Sequence, residues 1–129
     1  MKISRQDDSE RKAVQRSDTF TGNVWGESLA DLPDKAVNSV LFAPGARTDW
    51  HRHEHGQLLH ITHGQGKVRS RDGAEVIVGP GDTIWAEPGE EHYHGADLDR
   101  AMAHVAVSLG STEWLDPVTD ADYGISADG

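Results

Sequence analysis

The chain has 129 residues, of which 36% are hydrophobic and 14 are glycine, and its 22 acidic and 12 basic side chains give a formal net charge of −10. This length predicts one compact domain, and the acidic balance argues against nucleic acid or an anionic membrane as a partner. The absence of cysteine excludes disulfides and thiolate metal sites, so a bound metal would need histidine, carboxylate, amide or water ligands. We therefore expect a small-molecule partner.

The N-terminal segment is polar and uneven in pattern. Residues 1–18 predict a loosely held arm that orders only against the body or a partner subunit, and residues 19–129 predict the folded domain. Residues 1–12 alternate in charge and contain no apolar run, so they resemble neither a signal peptide nor a membrane span. These features predict a cytoplasmic protein.

From Phe20 onward the sequence consists of short β-rich runs separated by turn signals such as Asp72-Gly73 and Gly79-Pro80-Gly81-Asp82. The predicted strands are Phe20–Trp25, Ala36–Phe42, Asp49–His53, Gln57–Thr62, Lys67–Arg71, Glu75–Val78, Thr83–Ala86, His92–His94 and Met102–Ser108. Evenly spaced short strands are typical of an all-β sandwich or barrel. The tail from Ser111 to Tyr123 looks partly helical or irregular, with Trp114 and Leu115 as its expected anchors. Trp50, Trp85 and Phe42 are expected in the core or the pocket wall.

All eight histidines lie between positions 51 and 104. Residues two apart in a strand point to the same side, so His51 and His53 share one face and His92 and His94 share another. By the same alternation His104 shares its face with Met102, Ala106 and Ser108. The pair His51 and His53 and the pair His92 and His94 predict convergent imidazoles, although buried and hydrogen-bonded core histidines would show the same spacing.

Two stretches resemble the paired motifs of the cupin family. The spacing Gly45, His51, His53, Gln57 and Gly64 resembles the first motif, with glutamine where glutamate is usual. Gly81-Asp82 followed by Pro88-Gly89-Glu90-Glu91-His92 resembles the second, with Glu87 replacing a usual proline and Ala96 a frequent asparagine. The resemblance implies a single cupin, a jelly-roll β-sandwich barrel, and one divalent ion held by His51, His53, Gln57 and His92. The alternative is a cupin that lacks the ion and binds a sugar or similar ligand through these side chains.

A neutral ligand at position 57 affects the predicted chemistry. Three imidazoles and an amide leave open coordination positions, as in catalytic sites, and they leave the full +2 charge on the ion. That charge favours Lewis-acid chemistry and disfavours oxidation to a trivalent metal. His94 and His104 are then candidate acid–base groups, because a nearby dication disfavours protonated imidazole.

Longer stretches resemble small bacterial manganese-dependent hydroxynitrile lyases, which cleave cyanohydrins reversibly and with R selectivity. The similar segments are FTGNV at 20–24, FAPGART at 42–48, GDTIWAEPGEEHYHGA at 81–96, AMAH at 101–104 and EWLDPVTDADY at 113–123. The resemblance implies metal ligands at His51, His53, Gln57 and His92 and catalytic groups at His94 and His104. It also implies that Val40 and Phe42 shape the substrate pocket, with Asn38 and Ser108 at pocket positions where other residues are expected.

Three functions are therefore weighed: a metal-dependent lyase, a metal-dependent oxygenase, and a non-catalytic cupin that binds a small ligand or sugar. The resemblance implies Mn²⁺ as the ion, with Fe²⁺, Zn²⁺ and Ni²⁺ as alternatives. Because sandwich folds must protect their edge strands, a homodimer or homotetramer is also expected.

Overall fold

The computed structural model of the chain describes residues 1–126. Within them the backbone forms thirteen strands and one short helix. In chain order these are β1 (Val14–Arg16), β2 (Phe20–Thr21), β3 (Val24–Leu32), β4 (Lys35–Phe42), β5 (Arg47–Thr48), β6 (His51–His53), β7 (Gln57–Gly64), β8 (Gly66–Ser70), β9 (Glu75–Val78), β10 (Thr83–Ala86), β11 (His92–Ala96), β12 (Met102–Leu109), β13 (Thr112–Trp114) and α1 (Asp120–Tyr123).

The strands form two antiparallel sheets that pack against each other. The first sheet, sheet A, has the order β1-β3-β4-β12-β7-β10. In the second, sheet B, the order is β13-β6-β11-β5-β2, and β8 pairs with β11 and with β9. Strands β5 and β6 pair with β11 at its opposite ends, through Gly95 and His92 respectively. The predicted all-β fold is confirmed.

Alternating burial along the strands shows which side chains face the interior. On β7, Gln57, Leu59 and Ile61 are buried, whereas Leu58 and His60 between them are exposed. The core between the sheets is built from apolar side chains of both, among them Val24, Phe42, Leu59, Ile61, Val68, Val78, Ala96, Met102 and Ala106. Burying these side chains supplies the main driving force for folding. The polar site described below occupies part of the same interior.

Several predicted boundaries need correction. The run predicted as one strand over Phe20–Trp25 divides at Gly22, whose φ of +85° is in the left-handed region and where a Cβ atom would come within 2.9 Å of the Ala46 Cβ. A strand then continues through Val24–Leu32, well beyond the predicted end, because its partner β4 extends it by hairpin pairing. Trp85 is 43% exposed on the outer face of sheet A, so its assignment to the core or pocket wall was wrong.

The predicted arm contributes a strand to the barrel. Val14–Arg16 pairs antiparallel with Val24–Gly26 at the edge of sheet A. The chain then crosses to β2, which lies at an edge of sheet B. Thr19 in this crossing has a φ of 66°, and its carbonyl accepts a hydrogen bond from the Asp49 amide.

The tail is part strand and part helix. Thr112–Trp114 pairs with β6, and α1 begins after Thr119, whose hydroxyl accepts from the Asp122 amide as an N-cap. Its buried anchors are Val118 and Tyr123; Leu115 packs beside them, whereas Trp114 is partly exposed and contacts the site. Across residues 1–126, the structure contains no helix with the length and apolar character needed to cross a bilayer.

Candidate functional site

Three buried histidines meet on neighbouring strands of sheet B. His51 and His53 lie two apart on β6, and His92 on β11 is directly opposite His51. Each offers one ring nitrogen, and the three nitrogens lie within 4.8 Å of one another. The strand alternation that placed His51 and His53 on one face therefore brings both to the same point as His92. This cluster could hold a metal ion.

Backbone carbonyls orient two of these rings. Nδ1 of His51 lies 2.8 Å from the carbonyl oxygen of Asp49, and Nδ1 of His92 lies 2.9 Å from that of Glu90. A carbonyl only accepts, so each Nδ1 must carry the proton and donate it. The Nε2 atom of each neutral ring then has a free lone pair. Histidines that bind metals are commonly oriented in this way.

His53 is held by a different partner. Its Nδ1 lies 2.9 Å from the hydroxyl of Thr112 on the neighbouring strand β13. Its Nε2 is buried and has no hydrogen-bond partner among residues 1–126. A buried polar atom without a partner is costly, and metal coordination would remove that cost.

Gln57 on β7 reaches the cluster from sheet A. Its amide nitrogen donates to the Ser108 hydroxyl at 3.0 Å, which directs its oxygen to within 2.9 Å of His92 Nε2. With Nδ1 of His92 protonated, two acceptors face each other. A cation between them makes this arrangement favourable; without a cation, the amide must turn over to donate to His92. The donor set of three imidazoles and one amide oxygen thus fits a divalent metal.

The environment keeps these imidazoles uncharged. Burial, followed by the neighbouring His92, lowers the pKa of His51 well below 6.5, and the same two causes lower the pKa of His53 to about 4. Burial also lowers the pKa of His92. Neutral imidazole is the form that coordinates metal.

A second pair of histidines lies beside the cluster and joins the two sheets. His94 on β11 and His104 on β12 are both buried, and Nε2 of His104 lies 2.9 Å from Nδ1 of His94. One of these nitrogens donates to the other. Nε2 of His94 and Nδ1 of His104 are buried without a hydrogen-bond partner in the described part of the chain. Phe42 packs against both rings, at centroid distances of 5.9 and 5.3 Å.

Both rings of this pair are neutral near pH 7. Burial lowers the pKa of His104 to about 4. Burial lowers the pKa of His94 well below its ordinary value, and electrostatic repulsion from His104 and then from His51 lowers it further. The neutral pair can accept a proton at the free nitrogen of one ring. It can then transfer a different proton to the other ring through the hydrogen bond between them.

The site opens into a cavity of about 530 Å³. All four predicted pocket residues line it, namely Asn38, Val40, Phe42 and Ser108, as do His51, His53, Gln57, His94 and His104. His92 does not line the cavity, and its ring lies against His51 and His53. The structure thus brings together every residue predicted for the site.

Sequence reasoning missed several residues of this site. Thr112 fixes the His53 ring, Thr48 accepts from the His94 amide at 3.2 Å, and Trp114 packs against His51 at 4.6 Å. Thr48 and Trp114 lie within segments that resemble the family, but neither was assigned to the site, whereas Thr112 lies outside those segments. The remaining histidines, 55, 60 and 63, are exposed. His60 bonds Thr83 on the outer face, as its phase in the strand predicted.

Comparison with known proteins identifies similar chains. The cupin domain family matches residues 38–108. The chain is 42% identical over 114 residues to the (R)-mandelonitrile lyase of Granulicella tundricola, covering 83% of this chain and 87% of that protein. It is 39% identical over 70 residues to the MmsAB operon regulatory protein of Pseudomonas aeruginosa, covering 52% of this chain and 23% of that protein.

Solved structures share the fold. A cupin-like protein from Thermotoga maritima superimposes with a TM-score of 0.83 at 36% identity, over 91% of this chain and 95% of that one. The polyketide cyclase RemF from Streptomyces resistomycificus has a TM-score of 0.71 at 21% identity, over 95% and 89% of the two chains. The second likeness concerns the fold alone.

Proposed function

This chain belongs to the cupin domain family, and on that premise we propose that it is a metal-dependent lyase that cleaves cyanohydrins reversibly to a carbonyl compound and hydrogen cyanide. The proposal rests mainly on one observation. The buried, neutral candidate ligands lie next to a separate pair of neutral histidines, His94 and His104, and the site opens into one cavity. The 42% identity to a mandelonitrile lyase over most of both chains supports it.

The ligand set proposed for one divalent ion is His51, His53, Gln57 and His92, with Mn²⁺ as the first candidate and Fe²⁺, Zn²⁺ or Ni²⁺ as alternatives. Bound there, the ion would supply Lewis-acid polarisation of the substrate oxygen, at full +2 charge because every ligand is neutral. The carbonyls of Asp49 and Glu90 and the hydroxyl of Thr112 hold the rings in place for this task.

The chain's own proton chemistry is assigned to His94 and His104. Nε2 of His94 takes the proton from the substrate hydroxyl while the bond between the carbinol carbon and the cyanide carbon breaks. The oxygen's electron pair forms the carbonyl, and the pair of the broken bond leaves with cyanide. The proton then moves from the histidine pair to cyanide, so atoms and charge balance. Burial favours this last transfer because an imidazolium between the sheets is costly.

The cavity walls suit a substrate with an apolar substituent. Val40 and Phe42 provide apolar surface from β4, and Phe42 also packs on the histidine pair. Asn38, which pairs with Ala106, and Ser108, which pairs with Ala36, provide polar surface further along the sheet. Selectivity for R-cyanohydrins is part of the proposal and follows from the similarity to the named lyase.

A second candidate is a cupin that binds a small ligand without turnover. The similarity to an operon regulatory protein favours it. The match covers 70 residues and 23% of that protein, so the similar part is one domain of a larger regulatory chain. An oxygenase is less well supported, because a ligand set without a carboxylate disfavours a trivalent metal.

The deciding experiment measures benzaldehyde release from mandelonitrile, without oxygen, by Mn²⁺-loaded protein. Chelation and His94→Ala should each abolish release, because one removes the Lewis acid and the other the base. His60→Ala, a histidine on the outer face, is the matched control and should retain full activity. Absence of release by fully Mn²⁺-loaded protein would overturn the lyase proposal, and tight ligand binding in that case would favour the second candidate.

A further inference from the structure

One end of the cavity is covered by a segment that the proposed reaction does not use. We call residues 15–20 the strap. The strap begins on β1 in sheet A and ends on β2 in sheet B, and all six of its residues line the cavity. It therefore bridges both sheets at the site, where a substrate's distal end would meet it.

Arg16 of the strap lies directly over Gly26 on β3. A Cβ atom at position 26 would come within 2.7 Å of Arg16 Nε and 3.3 Å of one terminal guanidinium nitrogen. The guanidinium thus occupies space that only a glycine leaves free. Gly26 also lines the cavity, so this placement sets the Arg16 charge on the cavity wall.

The charge at this position is unpaired. Within residues 1–126, Arg16 is the one arginine or lysine that lines the cavity, and it makes no ion pair or side-chain hydrogen bond there. Four other arginines of this acidic chain have carboxylate partners, among them Arg11 with Glu27 and Arg71 with Glu91. Asp18 lines the same cavity but is not bonded to Arg16.

The sheet register relates Arg16 to the histidine pair. Gly26 pairs with Val40, and Val40 pairs with His104, so the three form one row across β3, β4 and β12. Two strand spacings separate the ends of this row by about 10 Å. A ligand of the size of a substituted benzene ring could therefore reach from the histidines to Arg16.

We propose that Arg16 is a specificity-determining residue that binds a carboxylate on the end of the ligand remote from the metal and the histidine pair. A guanidinium over an open cavity wall is a ready donor for a carboxylate, and charge-assisted hydrogen bonds of this kind are stronger than neutral ones. The inference rests on the proposed function for the reacting end of the substrate and extends it to acidic cyanohydrins at the other end.

The test compares two ligands of nearly equal shape by titration calorimetry on Mn²⁺-loaded protein. The ligands are para-hydroxymethylbenzoate and its neutral amide. Arg16→Gln should weaken benzoate binding about three- to tenfold relative to amide binding, the range for an accessible charge-assisted contact. Arg16→Lys should recover part of the difference. Lys2→Gln removes the same charge from the arm outside the cavity and should leave the ratio unchanged.

Gly26→Ala provides an independent variant that keeps the charge. Its methyl group would displace the Arg16 side chain, which is flexible and exposed, so the fold should persist while the benzoate preference falls. An unchanged preference in both Arg16→Gln and Gly26→Ala would overturn the inference. The readout is binding, so the two proposals can fail separately. An Arg16-dependent preference without mandelonitrile turnover would contradict only the lyase proposal. Turnover without such a preference would contradict only the role of Arg16.

Discussion

At the scale of single residues, the site depends on polar groups that burial keeps neutral. His51, His53, His92, His94 and His104 all have lowered pKa values, with burial as the first cause. In the proposed function, this neutrality allows the first three to bind a metal ion and the fourth to act as a base. The same burial makes the free energy of unfolding depend on pH, because the unfolded chain binds protons on these imidazoles at pH values where the folded chain does not.

His104 provides a measurable case of this linkage. Its pKa is about 4 in the folded protein against 6.5 ordinarily, so between these values the unfolded state binds more protons. Its contribution to stability is complete above pH 6.5 and is lost as the pH falls to about 4. Between pH 8 and pH 5 the loss is about 2 kcal/mol.

We expect urea unfolding in the presence of a chelator to show this loss as a difference between variants. The decrease in unfolding free energy from pH 8 to pH 5 should be smaller by about 2 kcal/mol in His104→Gln than in the unaltered protein. Equal decreases in the two proteins would show that His104 is protonated in the folded state at pH 5.

Gln57 is the residue at which ligand charge can be changed with little change in shape. Gln57→Glu should tighten Mn²⁺ binding about tenfold, because a carboxylate adds a charge to a buried site. It should also slow mandelonitrile cleavage, since the ion's net positive charge falls. Equilibrium dialysis and initial rates measure the two effects. Gln6→Glu adds the same charge in the exposed arm, and a matching effect there would contradict the assignment.

At the scale of elements, the tail is fastened to sheet B through one aromatic residue. Tyr123 of α1 is fully buried, Lys67 and Arg47 lie 4.2 and 5.0 Å from its ring, and its hydroxyl donates to the carbonyl of Ala96. Arg47 in turn bonds the Val118 carbonyl and Asp120. The element that follows β13 is thus tied to β5 and to β11, the strand that carries His92 and His94.

Tyr123→Phe should lower the free energy of unfolding by about 1 kcal/mol, because it removes one buried hydrogen bond and keeps the ring. Tyr93→Phe is the control, since the Tyr93 hydroxyl is buried without a partner in normal hydrogen-bond geometry within residues 1–126. Denaturant unfolding of both variants measures the difference. A larger loss for Tyr93→Phe would refute this account of the tail.

At the scale of the whole molecule, sheet A presents an apolar row to the outside. Trp85, Leu58, Val107 and Val37 pair in sequence across β10, β7, β12 and β4. Trp85 and Leu58 are 43% and 36% exposed. Contiguous exposed apolar surface of this kind is typical of a protein interface. The sequence predicts a homodimer or a homotetramer, and we propose that a homodimer forms on this face.

Sedimentation equilibrium should therefore show a dimer, and Leu58→Glu should shift it to monomer by burying a charge at the centre of the contact. Leu98→Glu is the matched control, because Leu98 is similarly exposed but lies in the turn before β12. A monomeric unaltered protein, or dissociation by Leu98→Glu alone, would contradict this interface.

The all-β fold, the turns and the histidines that share a strand face could be predicted from the sequence alone. These features depend on local rules, namely the period of two along a strand and the conformations that turn glycines allow. Gly64 illustrates the point, since its φ of 76° and its contact with the Ala101 carbonyl leave no room for a side chain. The family motifs added the proposed ligand set. The structure brings one ring nitrogen each of His51, His53 and His92 within 4.8 Å of one another.

The groups that meet between the sheets could not be predicted from the sequence, because their meeting depends on how the strands pack. The bond between His94 and His104 joins consecutive strands that lie in different sheets. The orientation of His53 by Thr112 and the position of Arg16 over Gly26 join elements that are not neighbours in sequence. Strand alternation tells which side a residue faces but not which strand lies opposite, because register and sheet packing depend on the whole core at once. For that reason the cluster of His51, His53 and His92 was predictable from the motif spacing, whereas the hydrogen bond between His94 and His104 and the residues at the far end of the cavity were not.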